Sequence, residues 1–293
     1  MITLFCLYLI LIKPCHLRQK EKWRILESFD YAHRGFFNEE CPENSIKAFQ
    51  RAIDYGYGIE LDVQMTKDEQ LVVFHDQSLK RMCKINSELI HLTFEQLLQY
   101  PLKQSQQRIP LLKEVLQLVN GQVPLIIEIK KEGDPIRTLK ETLVLLDMYP
   151  GMYVIESFHP GVVYWLKKNR PEIIRGQLSE NHYKNENLPW ILRFVLTNFL
   201  TNGFTKPDFI AMDIHCQNFF TYRIMNALFR FKKVGWTIRS EEEYVFQKHR
   251  MDCIIFDSMN PKEGNYDCIL QKQKTNCKRK DSSELYNNRK CEN

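Results

Sequence analysis

Two hydrophobic periods alternate along this chain. Short β-rich apolar runs lie at Phe29–Ala32, Ile59–Val63, Leu125–Ile129, Tyr153–Phe158, Ile174–Leu178, Phe209–Ile214, Gly235–Ile238 and Cys253–Asp257. Between them stand segments with helical spacing of apolar residues, such as ENSIKAFQRAIDYG, PIRTLKETLVLLDMYP, GVVYWLKKNRP and EEEYVFQKHRMD, most of them bounded by proline or glycine. Glu43-Asn44-Ser45 after Pro42 reads as a helix start. Eight strands joined by seven crossovers, always β then α, predict an α/β fold, a TIM (β/α)8 barrel. The competing doubly wound sheet lacks a glycine-rich phosphate turn after its first strand.

A ninth apolar run, Leu71–His75, follows the second strand after only Thr66 to Gln70. That gap is too short for a helical crossover, so the run must fold back as an antiparallel partner and carry His75 to the barrel mouth. Residues 76–110 then form a small excursion after strand two. The expected organisation is an apolar and basic arm at 1–27, a barrel at 28–261, and a basic tail at 262–293. The tail has no apolar period and is expected to be disordered.

In a strand, residues two apart face the same way, so Glu60 and Asp62 aim two carboxylates at one place, and Glu128 and Lys130 repeat the spacing. The bland alternative for the acids is the wet face of a solvated edge strand. Converging carboxylates repel unless a cation neutralises them. An all-oxygen set suits one hard divalent cation, Mg²⁺ or Ca²⁺. Arg34 and Lys130 supply the fork and the point charge that a phosphate prefers. His33, at the end of strand one, and His75 can serve as a general acid and base near neutral pH. Together these groups describe hydrolysis of a phosphate ester.

At these residues the chain resembles the glycerophosphodiester phosphodiesterase family. The likeness rests on HRG at 33–35, PENS at 42–45, ELD at 60–62, VVFHD at 72–76, IPLLKEVL at 109–116, IEIK at 127–130, SF at 157–158 and GW at 235–236. It implies a TIM barrel that hydrolyses small glycerophosphodiesters to sn-glycerol 3-phosphate and an alcohol with a divalent metal. Glu60, Asp62 and Glu128 would be the metal ligands, His33 and His75 the acid–base pair, Arg34 and Lys130 the phosphate holders, and Trp236 a flank for the glycerol. Two stretches depart from the family: LKRMCKINSELI after Asp76, and FDSMNP near the last strand. Neither is expected to touch a catalytic group; they bear on alcohol specificity and on the shape of the lid. Two other classes remain open: a lysophospholipase D or sphingomyelinase-D-like lipid phosphodiesterase on the same barrel, and a non-catalytic barrel used as a binding module.

Composition adds exclusions. The net charge of +5 comes from the ends: between Lys13 and Arg24 five basic residues face one acid, and the tail is basic too. No basic stripe lies inside the folded part, which excludes a nucleic-acid footprint. Nine cysteines without CxxC spacing indicate neither a disulfide framework nor a thiolate metal site, and fit a reducing compartment. Ile2–Ile12 is apolar but about 16 Å long as a helix, too short to span a bilayer. Its basic residues follow it, unlike a secretory signal, and would keep the rest of the chain cytoplasmic. The arm is read as a weak peripheral contact with the inner face of the membrane, or as an arm packed on the barrel. The apolar run 190–200, WILRFVLTNFL, is expected to be a buried helix, with a patch against membrane or acyl chains as the alternative, and Phe219, Phe220, Phe229 and Phe231 are expected to pack helices rather than form a lipid site. His91, His159, His182, His215 and His249 are expected at the surface or outside the catalytic shell.

Overall fold

The computed structural model describes residues 2–15 and 19–264. Eight parallel strands close into a barrel: β1 (Tyr31–His33), β2 (Gly58–Met65), β4 (Leu125–Ile129), β5 (Tyr153–Ser157), β6 (Arg175–Ser179), β7 (Phe209–Asp213), β8 (Lys232–Ile238) and β9 (Cys253–Phe256). Each pairs with the next, and β1 closes the ring on both β9 and β2. The expected fold-back is also present: β3 (Leu71–Val73) pairs antiparallel with β2, Val63 opposite Val73.

Among the described residues twelve α-helices accompany the strands: α1 (Ile2–Ile12), α2 (Lys20–Leu26), α3 (Ile46–Asp54), α4 (Lys80–Cys83), α5 (Phe94–Leu97), α6 (Leu112–Val119), α7 (Pro135–Leu146), α8 (Pro160–Asn169), α9 (Trp190–Thr197), α10 (Asn202–Thr205), α11 (Phe220–Leu228) and α12 (Glu241–Lys248). Local chemistry sets many of their starts. Ser45 caps α3, Asp134 caps α7 ahead of Pro135, and Ser240 caps α12. α4 and α5 belong to the excursion, which has its own small apolar cluster around Phe74, Leu79, Met82, Leu89 and Leu97.

Strand alternation divides the core. On β4, Leu125, Ile127 and Ile129 join the cluster between sheet and helices, while Ile126 joins a second cluster with Tyr31, Val154, Phe209 and Ile255. That second cluster fills the N-terminal half of the barrel. α2 closes it from below, with Trp23 against Phe209 (5.5 Å between rings) and the Tyr31 hydroxyl donating to the Leu26 carbonyl. Gly58 opens β2 where Tyr31 crosses it; a Cβ there would sit 2.6 Å from the ring. The inward positions nearer the strand ends are Glu60, Asp62, Glu128 and Glu156. The acids of β2 therefore face the barrel interior and not a wet edge.

Two expectations for apolar segments change. The 190–200 run is not a buried helix: Trp190, Ile191, Leu192 and Phe194 are exposed, and only Thr197 of α9 is buried. Phe220 is exposed too, whereas Phe219, Phe229 and Phe231 do pack against the core. In the arm, α1 packs on the barrel, with Ile12 buried and Tyr8 and Leu9 against the core, while Ile2, Leu4, Phe5, Leu7 and Ile10 face outward. Among the described residues no helix is long and apolar enough to cross a membrane. The six described cysteines are free thiols. Apart from 262–264, the disordered tail expected at 262–293 lies outside the described residues.

Candidate active site

The C-terminal ends of the strands surround a cavity of about 750 Å³, large enough for a small-molecule substrate. Seven of the eight expected site residues reach it or the carboxylates beneath it along strand ends. The eighth, His75, arrives on the segment after β3.

Glu60, Asp62 and Glu128 are all buried, and each offers an oxygen within 4.8 Å of the others. Register explains the meeting: His33 lies beside Glu60, Asp62 beside Glu128, and Glu128 beside Glu156. Electrostatics then splits the cluster. Burial, with Asp62 and Glu128 close by, pushes the Glu60 carboxyl well above its ordinary value. Burial also raises Glu128, to about 7, although Lys130 opposes it. Asp62 resists its burial because Lys130, His75 and Arg34 hold it well below the usual carboxylate range. Protein groups alone leave this set short of positive charge. Oxygens bound to one divalent ion at roughly 2.0–2.6 Å stand at most about 5 Å apart, so these three fit such an ion. Their all-carboxylate character selects a hard one.

Lys130 is buried and makes contacts of 3.0 Å with Glu128 and 3.3 Å with Asp62. Arg34 sits in the tight turn after β1 with a positive φ of 57°, followed by Gly35 at 81°. A Cβ on Gly35 would come within 2.9 Å of the Ala48 backbone, so α3 can pack under this turn only with glycine. The turn aims the Arg34 amide at Glu60 (3.0 Å), and its guanidinium donates to Glu43 (2.6 Å). Trp236 borders the cavity with Phe158 edge-on against it, ring centroids 5.8 Å apart.

Each histidine rests on a carboxylate. The Nδ1 of His33 lies 3.2 Å from Asp257, and its Nε2 lies 3.9 Å from Glu60. Burial lowers the His33 pKa against the pull of Asp257, so the ring is neutral near pH 7. Burial opposes ionisation of Asp257, but the bond to His33 and nearby Arg239 hold its carboxyl low. An ionised Asp257 only accepts, so His33 carries its proton on Nδ1 and keeps the Nε2 lone pair. His75 Nδ1 lies 2.7 Å from Asp76, whose carboxylate accepts two hydrogen bonds from Arg81 (2.6 and 2.9 Å). Asp76 stays ionised despite partial burial, so it too fixes its imidazole with the proton on Nδ1.

Five functional residues escaped sequence reasoning. Glu43 receives both Arg34 and Arg81, and Asn44 donates to Asp62 (2.9 Å), so PENS is a structural brace as well as a helix start. Arg81 and Asp257 lie inside the two departing stretches, LKRMCKINSELI and FDSMNP. Both stretches therefore reach the expected site histidines, Asp257 directly at His33 and Arg81 through Asp76 at His75, contrary to expectation, because the loops fold back onto the strand ends. Glu156 is a fourth buried carboxylate on the cavity wall, raised well above its ordinary value by burial and then by Glu128 and Asp62. The tetrad ESFH offered a signal for it, since Glu156 stands just before the quoted SF. His182, expected outside the catalytic shell, is buried against the cavity edge-on to Phe158, and its pKa falls to about 4 through burial and then Lys131.

Arg81→Met is expected to lower kcat by about tenfold or more while the fold persists, because Asp76 and His75 lose their support. Arg81→Lys should recover little, since one ammonium cannot span Glu43 and Asp76 as the guanidinium fork does. Steady-state kinetics alongside circular dichroism would check this; wild-type kcat in both variants would refute the bracing role.

Sequence comparison supplies the family. A profile of the Glycerophosphoryl diester phosphodiesterase family matches residues 33–260. This chain belongs to that family. The family is one of phosphoric diester hydrolases, and the matched range holds every site residue named above. A glycerophosphodiester phosphodiesterase of Bacillus altitudinis is 34% identical over 156 residues, 49% of this chain and 63% of that protein. A human lysophospholipase D is 38% identical over 136 residues, 42% of each chain. The chain thus matches less than two thirds of the length of these two relatives. Among solved structures, an Oleispira antarctica phosphodiesterase in complex with the product sn-glycerol-3-phosphate superposes with a TM-score of 0.62 at 20% identity, covering 78% of this chain and 92% of that one. That likeness carries the barrel fold.

Proposed function

We propose that this chain hydrolyses glycerophosphodiesters to sn-glycerol 3-phosphate and an alcohol, with a hard divalent cation, Mg²⁺ or Ca²⁺, and two histidines. The observation that carries the proposal is the meeting of three buried carboxylates with two imidazoles, each oriented by its own aspartate, at one cavity. Glu60, Asp62 and Glu128 would hold the cation. When bound, it would polarise a phosphoryl oxygen and neutralise charge developing on the phosphate.

The remaining work falls to the chain. Lys130 balances Asp62 and Glu128, and Arg34 holds a second positive charge at the cavity edge, next to where a phosphate would stand. His33, neutral and with its Nε2 lone pair available, suits the base that accepts a proton from the attacking oxygen. His75 approaches from the segment after β3 and suits the acid that protonates the leaving alcohol. Trp236 and Phe158 give the cavity an aromatic flank for the glycerol carbons. Water or a glycerol hydroxyl can be the nucleophile with the same pair.

A second reading of the substrate, a lysophospholipid, has a specific observation in its favour. Leu188, Leu192, Val195 and Leu196 line one side of the same cavity, an apolar wall suited to an acyl chain. One panel tests both substrates: soluble glycerophosphodiesters and lysophospholipids assayed with Mg²⁺ and with Ca²⁺, following glycerol 3-phosphate or lysophosphatidate. Turnover of the soluble diesters alone assigns the small substrate, and preference for the lysolipids assigns the second. Turnover of neither would return the barrel to a binding role.

A further inference from the structure

α9, which lines the cavity, and three helices linked to it, α1, α10 and α11, expose large apolar side chains. Leu4 and Phe5 of α1, Trp190 and Phe194 of α9, Phe204 of α10 and Phe220 of α11 all face outward, with Trp190 73% and Phe220 75% exposed. These residues come from distant parts of the sequence, yet their helices are neighbours. The Tyr8 hydroxyl lies 2.8 Å from the Thr221 hydroxyl, and Thr221 donates to Asn198 just past α9, also at 2.8 Å. The Asn202 amide donates to the Ile12 carbonyl at 3.0 Å and ties α10 to the end of α1. A short polar chain thus joins four helices whose outer faces are apolar. A continuous patch of this kind marks an interaction surface.

We propose that α1, α9, α10 and the start of α11 form a docking face for an anionic lipid bilayer, and that α9 links this face to the catalytic cavity. α9 is the element shared by both: Leu192, Val195 and Leu196 line the cavity, while Trp190 and Phe194 point away from it. A lipid held at the outer face therefore has one helix between it and the site. Delivery of a lipid substrate rests on the catalytic reading above; the docking itself does not.

Charge selects the occupant. α1 and α9 contain no acidic residue. At the junction of α1 and α10, Lys206 donates to the Lys13 carbonyl, Lys167 donates to the Phe204 carbonyl, and Lys13 lies over the Phe229 ring. Arg193 on α9 is likewise held by backbone carbonyls, those of Leu188 and Glu186. None of these four cations forms an ion pair with a carboxylate among the described residues. Burial and then the charges of Lys13 and Lys167 lower the Lys206 pKa, as expected where cations crowd together. Anionic headgroups would relieve that crowding while the apolar residues enter the acyl boundary. A second copy of this chain fits worse, because pairing like faces brings one basic cluster toward another. The absence of a spanning helix among the described residues makes this a face that lies on a bilayer.

The test uses the full chain and sedimentation with vesicles of phosphatidylcholine alone or of phosphatidylcholine and phosphatidylglycerol at about 3:1. The wild type is expected to favour the anionic vesicles and to lose binding as salt rises. Trp190→Ser/Phe194→Ser should weaken partition about tenfold or more, yet keep its turnover of a soluble glycerophosphodiester, since both side chains lie outside the cavity. Lys167→Glu/Lys206→Glu should abolish the preference for anionic vesicles. Equal partition of wild type and both variants, or no wild-type partition, would overturn the proposal. So would a wild-type dimer that Trp190→Ser/Phe194→Ser converts to monomer, because that outcome gives the face to a second copy. Vesicle binding without turnover on any diester would instead leave docking intact and remove the catalytic reading.

Discussion

Removing divalent cations with EDTA is expected to abolish turnover, and adding Mg²⁺ or Ca²⁺ to restore it. Glu60, Asp62 and Glu128 place oxygens within 4.8 Å of one another in a buried setting. Lys130 compensates Asp62 and Glu128 directly, at 3.3 and 3.0 Å, whereas Glu60 has the Arg34 amide at 3.0 Å, His33 at 3.9 Å and the more distant Arg34 charge. Burial and the neighbouring carboxylates raise Glu60 and Glu128, while Lys130, His75 and Arg34 hold Asp62 low against its burial, so the protein groups alone favour retained protons on part of the cluster. A bound divalent ion would stabilise all three as carboxylates. Glu60→Gln keeps the size and removes the charge, so it should weaken cation affinity by more than tenfold and leave the barrel folded. Isothermal titration with Mg²⁺ or Ca²⁺ reads this independently of activity. Added cation should also raise the melting temperature of the wild type and do so far less in Glu60→Gln. Full turnover in metal-free protein would remove the cation from the reaction.

The barrel was legible because its signals are local. Apolar runs, their spacing and their proline or glycine boundaries lie within a few residues, and the strand period alone put Glu60 with Asp62 and Glu128 with Lys130. The fold-back that delivers His75 followed from a five-residue gap too short for a crossover. What stayed hidden depends on contacts across the chain. Arg81 meets Glu43 from 38 residues away, and Asp257 meets His33 from 224 away, so neither pairing has a local signal. Glu156 joined the cluster through its register with Glu128, which requires the order and stagger of the strands. Whether α9 is buried or exposed stays open in the sequence for a related reason, with the buried helix favoured. A helix rich in Trp, Ile, Leu and Phe has the same composition whether it is buried or lies over a cavity mouth with one face outward.

The two histidines should separate when the leaving group is varied. In-line displacement puts the attacking oxygen and the departing alcohol on opposite sides of the phosphorus, so one group accepts a proton while another donates one. His33 is buried, neutral and fixed by Asp257, with its Nε2 lone pair available, which suits it to the proposed role of base. His75 is more exposed and is held by Asp76, itself braced by Arg81, on the segment after β3, which suits it to the proposed role of acid. His33→Ala and His75→Ala should each lose about 10²–10⁴ in kcat on an alkyl diester. With p-nitrophenol as the leaving group, which departs without protonation, His75→Ala should recover most of its loss and His33→Ala should not. The aspartates extend the test. Asp257→Asn would let His33 shift its proton to Nε2, which removes the lone pair a base needs, so it should resemble His33→Ala and stay insensitive to the leaving group. Asp76→Asn should instead follow His75→Ala and improve with p-nitrophenol. Equal responses of the two histidine variants to leaving-group pKa would overturn this division of labour. Losses below about tenfold in both, far short of what a general acid or base contributes, would show that neither histidine transfers the proton.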